Sequence, residues 1–199
     1  MRWGVALATA LLVAGCSSGA SGPASLAPLS ALLLTPSDAG SGWTIDTSGG
    51  SVDQVATCLR GLIKPQEGSS EHATVALVGP GQFPRIEELL TRYRDDGKAS
   101  RAASVAMAVA EDCHGQVPSS SGTMIDWVES PVDGARYRGA GRFVDLQSTV
   151  AGIALTVIRS GPTLAVLTVY DLSLNNTTLG ALSNAANAKL AAAHHAGRV

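Results

Sequence analysis

Two apolar, β-branched runs near the C-terminus constrain this chain more than any other feature. Val150 to Ile158 and Thr163 to Tyr170 are joined through Ser160-Gly161-Pro162. Valine- and isoleucine-rich runs on either side of a short glycine–proline connection read as a β-hairpin. That pair fixes an antiparallel core, around which the other elements have to be arranged.

The sequence upstream of the hairpin divides into a helical part and an extended part. Leu26, Leu29, Leu32 and Leu33 recur at helical spacing, so Ser25 to Leu34 reads as a short helix stopped by Pro36. Thr35 to Gly42 reads as a turn, and Trp43-Thr44-Ile45 as the start of an extended segment. Ser51 caps a second helix to about Leu62, with Val52, Val55, Leu59 and Leu62 on one face. His72 to Val78 alternates as a strand, closed by Gly79-Pro80-Gly81. Pro84, with Glu87 and Glu88 close behind, opens a helix carrying Ile86, Leu89, Leu90 and Tyr93 and ended by Gly97. An alanine-rich helix from Lys98 to Cys113, with Val105, Met107 and Val109, completes a helical hairpin with it. The period then changes. Met124, Trp127 and Val128 mark one strand and Tyr137 to Phe143 another, before the late hairpin. Asn175-Asn176-Thr177 leads into a closing helix, Leu179 to about Ala192, with Leu182, Ala186 and Leu190 on its stripe. The expected fold class is α+β: a mainly antiparallel β-sheet packed by helices, in a single domain.

The N-terminus sets the address. Met1-Arg2 gives a basic start, Trp3 to Ala14 an apolar run, and small residues lead into Cys16. The run is roughly a dozen residues, too short for the ~20 that cross a bilayer as a helix. Leu12-Val13-Ala14-Gly15-Cys16 resembles a bacterial lipobox. That resemblance implies cleavage before Cys16, acylation of its thiol, and often of the new amine. Two or more acyl chains give stable attachment. The expected organisation is a lipoprotein signal peptide (1–15), a lipidated cysteine and flexible tether (16–24), a domain (25–193) and a C-terminal tail (194–199). The expected location is the extracytoplasmic face of the cell membrane, with membrane lipid as the partner of Cys16.

An exported chain changes how the cysteines read. Three are present, and lipidation removes Cys16 from the count. Cys58 and Cys113 remain as an even pair in an oxidising compartment, where a disulfide is expected. Their spacing is not CxxC, which sets a reactive or metal-binding pair aside. The bridge closes a loop of about 56 residues, worth roughly 4 kcal/mol in the chain-entropy model.

Function classes narrow by what the chain lacks. The formal net charge is −2, becoming more negative once Arg2 is removed, and no basic block occurs, so nucleic acid is not an expected partner. No HExxH, GxSxG, phosphate-cradling glycine loop or acidic calcium loop is present. Glu111-Asp112-Cys113-His114 invites a cysteine–histidine reading, but neighbours on a helix point about 100° apart. The expectation is no enzyme, no cofactor, no metal site and no catalytic residue. What remains is binding. Arg136, Arg138 and Arg142 alternate along a strand and present guanidinium groups on one face, suited to an anionic ligand or partner. Trp127, flanked by Asp126 and Glu129, is the other candidate. With 15% charged residues, the apolar excess is also compatible with a lipid-sized cavity or with a plain aliphatic core.

From Leu32-Leu33-Leu34-Thr35-Pro36-Ser37-Asp38 through Gly42-Trp43 to the closing helix, the layout resembles the sensor-domain lipoproteins of mycobacteria and other actinobacteria. These are related to the extracellular sensor domain of PknH-type receptor kinases. A cysteine in each of two helices and the late hairpin with its closing helix are similar. Those kinase domains generally carry two disulfides, whereas this chain can form one. A second layout, the fold of the PsbP/Mog1-like lipoproteins, fits nearly as well and is the second choice. The resemblance implies a membrane-anchored, non-enzymatic ligand-binding or sensor-like domain of the cell envelope with an unidentified ligand or protein partner. The alternatives are a lipid or glycolipid carrier with an apolar cavity, and an accessory protein docking on an envelope enzyme or transporter.

Overall fold

A computed structural model describes residues 26–47, 55–65, 67–119, 122–129, 137–143, 152–172 and 176–196. The expected signal peptide, Cys16 and its tether lie outside the described residues, as does Arg136.

Among the described residues eight strands form one antiparallel sheet: β1 (Thr44–Ile45), β2 (Ser69–Val78), β3 (Arg85–Tyr93), β4 (Gly115–Pro118), β5 (Met124–Glu129), β6 (Tyr137–Phe143), β7 (Gly152–Ser160) and β8 (Thr163–Asp171). Their spatial order is β1-β2-β3-β8-β7-β6-β5-β4. Three α-helices among the described residues accompany them: α1 (Pro36–Ala39), α2 (Asp96–Glu111) and α3 (Asn176–Ala196). The fold class is α+β with an antiparallel sheet, as the sequence predicts.

The β7–β8 hairpin sits mid-sheet in the register Ser160↔Thr163 to Gly152↔Asp171. Both its faces are covered, so almost every residue is buried. Alternate residues separate into two cores. Ile153, Leu155, Val157, Leu164 and Val166 join the core under α2. Ala154, Ile158, Ala165, Leu167 and Val169 join the core under α3. Two-sided burial is why these strands read as continuous apolar runs rather than clean alternations.

The helices take opposite faces for topological reasons. The chain leaves β3 at mid-sheet and re-enters at β4, the far edge, so α2 crosses the sheet and packs on β3, β8, β7 and β6. Asp95 caps its N-terminus, accepting the Lys98 amide N–H at 2.8 Å. Its buried stripe is Ala99, Ala103, Ala106 and Ala110, small residues that let the helix axis approach the sheet closely. Val105, one of the larger apolar residues of this helix, is 58% exposed. α3 buries Leu179, Leu182, Ala186 and Leu190, the stripe read from sequence. It runs to Ala196, past the expected domain boundary, and the His194 ring packs where a Cβ on Gly161 would sit. With φ at +54°, Gly161 is favoured there twice over.

Four sequence expectations are corrected. The expected helix opened by Pro84 is strand β3, Arg85–Tyr93, paired along nearly its whole length with β2 and β8. A strand buried on both faces places apolar residues at both parities, and Ile86, Leu89, Leu90 and Tyr93 then mimic helical spacing. The expected helical hairpin is therefore a strand–helix unit, and Gly97 lies in the first turn of α2. The expected helix at Ser25 to Leu34 is an extended segment with a 3-10 turn at Leu29–Ala31, and Pro36 starts α1 rather than ending a helix. Of the expected Ser51–Leu62 helix, residues 51–54 lie outside the described residues and the remainder is a 3-10 turn at Thr57–Leu59.

Cys58 and Cys113 are joined, with Cα atoms 5.8 Å apart. The bridge ties the 3-10 turn to the end of α2. The Thr57 hydroxyl donates to the Pro118 carbonyl at 3.0 Å, and Ala56 bridges Ser119, so the turn is held against the β4 end as well.

Two outcomes follow. Replacing both cysteines by alanine removes roughly 4 kcal/mol, lowering the thermal midpoint by about 8–16 °C; a shift under a few degrees contradicts the clamp. Trp127 is fully buried between β5 and α2, so Trp127→Ala costs about 3–5 kcal/mol by denaturant titration. A cost near zero places the indole outside the core.

Candidate binding groove

α2 covers β6, β7 and β8 but leaves the β2–β3 side of the same face less covered. There lies an open groove of about 440 Å³. Its floor consists of two rungs that cross three strands. One is Thr74, Leu89 and Val166; the other is Ala76, Glu87 and Thr168. Period-two alternation puts these six residues on one face. Ile63, on the segment held by the Cys58–Cys113 bridge, forms one wall, and Ile45 and Asp46 form the rim beside β1. Asp46 is fixed by an ion pair with Arg85, and its amide N–H donates to the Ala76 carbonyl at 2.9 Å.

The lining combines aliphatic surface with a few polar groups: the hydroxyls of Thr74 and Thr168 and the carboxylates of Asp46 and Glu87. Such a set supports recognition by hydrogen bonds and apolar contact. It contains no histidine, cysteine or aromatic ring. Among the described residues no group of three or more potential metal ligands converges. No helix among them is long and apolar enough to cross a membrane.

The opposite face of β2 and β3 is covered. Residues 26–39 lie across it as a strap, with Leu29 and Leu34 buried. Side chains of the domain hold the backbone of the strap. Glu71 Oε1 accepts the Leu29 N–H at 3.1 Å, and Arg92 donates to the Ala27 carbonyl at 2.6 Å. Lys189 Nζ donates to the Leu33 carbonyl at 2.8 Å, and Glu88 Oε2 accepts the Leu34 N–H at 2.5 Å. Glu88, the neighbour of Glu87, is 1% exposed. Burial raises its pKa; the Leu34 N–H and the Lys189 charge pull it back and Asp38 adds to the rise, leaving it at about 7. Burial also pushes Asp38 upward, but its hydrogen bonds from Lys189 and Thr35 outweigh that and hold it below the usual carboxylate value.

The residues singled out from sequence stand elsewhere. Arg138 and Arg142 are on β6, at register positions opposite Thr156 and Gly152; β7 separates that strand from the groove floor. Arg136 lies outside the described residues. Trp127 is in the core beneath α2, away from the groove. The groove residues were hidden because β3 reads as a helix. With β3 extended, the parity of Thr74 and Ala76 on β2 and of Val166 and Thr168 on β8 already points to a shared face.

No family model matches the chain, and no curated protein does. Among solved structures, the crystal structure of the extracellular domain of PknH from Mycobacterium tuberculosis is similar, with a TM-score of 0.63 and 13% sequence identity. The match covers 85% of this chain and 98% of that one. At this identity the likeness concerns the fold: the chain has a fold like that of the PknH extracellular domain.

Proposed function

We propose that the chain is a membrane-anchored, extracytoplasmic binding module that takes a small ligand in the groove over β2, β3 and β8. The observation that carries this reading is the groove itself. Its volume of about 440 Å³ falls in the range of roughly 300–1,000 Å³ typical of small-molecule sites. Its polar groups are few and fixed in place by the sheet register and by the Asp46–Arg85 pair. An open groove with carboxylates and hydroxyls in its lining favours a small, partly polar ligand over the acyl chains of a carrier's cargo. The fold likeness to a domain described as extracellular supports the location, and the lipobox at Cys16 supplies the anchor.

Native mass spectrometry on residues 24–199, secreted through an oxidising compartment of an actinobacterial host, tests the groove. A retained small molecule is expected on the wild type and lost in Thr74→Trp, where an exposed strand residue accepts an aromatic ring that fills the groove. Retention of the same mass by Thr74→Trp places the ligand elsewhere, and added mass in the lipid range favours the carrier.

Membrane fractionation with labelled palmitate tests the anchor. Cys16→Ser is expected to lose the label and leave the membrane fraction. A variant that stays membrane-bound contradicts the lipobox reading.

A further inference from the structure

The strap over residues 26–39 is held differently from every other covering element. Four of its backbone groups are met by side chains from β2, β3 and α3: the Leu29 N–H by Glu71, the Ala27 carbonyl by Arg92, the Leu34 N–H by Glu88 and the Leu33 carbonyl by Lys189. No described strand pairs with it, so its release breaks no sheet hydrogen bond, although it uncovers Leu77, Ile86 and Leu90.

The contact at Glu88 is the unusual one. Its Oε2 accepts the Leu34 N–H, while Oε1, also buried, has no hydrogen-bond partner. A buried carboxylate with a single donor is poorly compensated for the water it has lost. The charged groups around it are few. Lys189 approaches from α3, committed to Asp38 at 2.5 Å and to the Leu33 carbonyl, and Asp38 stands on α1. The register neighbours of Glu88 on β2 and β8 are Val75 and Leu167, both apolar.

We propose that Glu88 is a proton-operated latch on the strap: as the neutral acid it holds Leu34 in place, and as the carboxylate it loosens the strap from the sheet. The direction follows from the linkage. Burial raises the carboxyl from 4.5 to about 7 with the strap docked. An undocked Glu88 regains water and an ordinary carboxylate value. The Glu88 contribution to docking is thus full below about pH 4.5, weakens as pH rises toward 7 and changes little beyond. The lowered Asp38 works in the opposite sense, losing its pair with Lys189 on further acidification.

The consequence for reach rests on the Cys16 anchor reading. With the strap docked, residues 16–25 span at most about 35 Å; with it released, residues 16–39 span up to about 80 Å. Neutral or alkaline conditions then make the extended form more frequent, and mild acid makes it rarer.

Amide exchange at Leu34, measured by NMR on the full mature chain and corrected for the intrinsic pH dependence of exchange, tests the latch. Between pH 4.5 and 7 the opening constant at Leu34 is expected to rise on the order of a hundredfold, while Val75 and Leu167 in the flanking strands stay protected. Glu88→Gln, which keeps the acceptor but not the charge, is expected to remove the pH dependence with the strap docked. A wild-type Leu34 whose corrected exchange is flat across this range overturns the latch, and so does a pH dependence that survives in Glu88→Gln. The wild-type profile alone decides if the variant fails to fold. Loss of the palmitate label at Cys16 has no bearing on this profile, so failure of the anchor voids the change in reach and leaves the latch standing.

Discussion

The structure depends on covering both faces of the β3–β8–β7 centre at once. These strands place apolar side chains on both sides, and an antiparallel sheet with two apolar faces is stable only as the middle of three layers. One outer layer is α2, held close by its alanine stripe and tied to the 3-10 turn at Thr57–Leu59 through the disulfide. The other is α3 together with the strap. α3 packs chiefly on β7 and β8, so without the strap the β2–β3 side of that face, with Leu77, Ile86 and Leu90, loses its cover.

The two layers do not match in extent, and the mismatch makes the groove. On the α3 side the strap reaches β2 and β3. On the α2 side the helix leans toward β7, and the same two strands keep an open surface bounded by Ile63 and the Asp46 rim. Adjacent glutamates on β3 therefore meet opposite surroundings. Glu87 lines the groove, and Glu88 is sealed under the strap with a carboxyl pushed to about 7. One strand thus carries a recognition group on one face and a titrating group on the other, a single residue apart.

Much of this was legible in the sequence. The late hairpin, the Tyr137–Phe143 strand, α3 and the α2 span could be read from period and turn residues, and the disulfide from counting cysteines. Strand β3 was not legible, because its local residues favour a helix and only its position between β2 and β8 decides otherwise. Glutamate and leucine are good helix formers, but a weak intrinsic preference yields to burial on both faces. The alanine face of α2 was missed for a related reason. Large apolar residues such as Val105 attract attention, whereas close approach to a sheet selects small ones. The groove needed β3 in its correct state before Thr74, Leu89 and Val166 could be seen as one rung. The arginine alternation on β6 marked a real strand two positions away from the groove floor.

Fold likeness cannot carry the site across to this chain. At 13% identity with the PknH extracellular domain, the shared feature is the layered frame, and a frame constrains function only through the side chains placed on it. In this chain the residues at six floor positions set the chemistry of the groove. Ala76, small, keeps the second rung shallow beside the half-buried Glu87, while Thr168, 2% exposed, closes its base. Leu89, 6% exposed, gives the first rung an apolar base. A bulkier residue at 76 would fill the space while leaving the sheet, the cores and the strap as they are. The mismatch of the two layers opens the groove and these few residues set its chemistry, which can change while the frame stays the same.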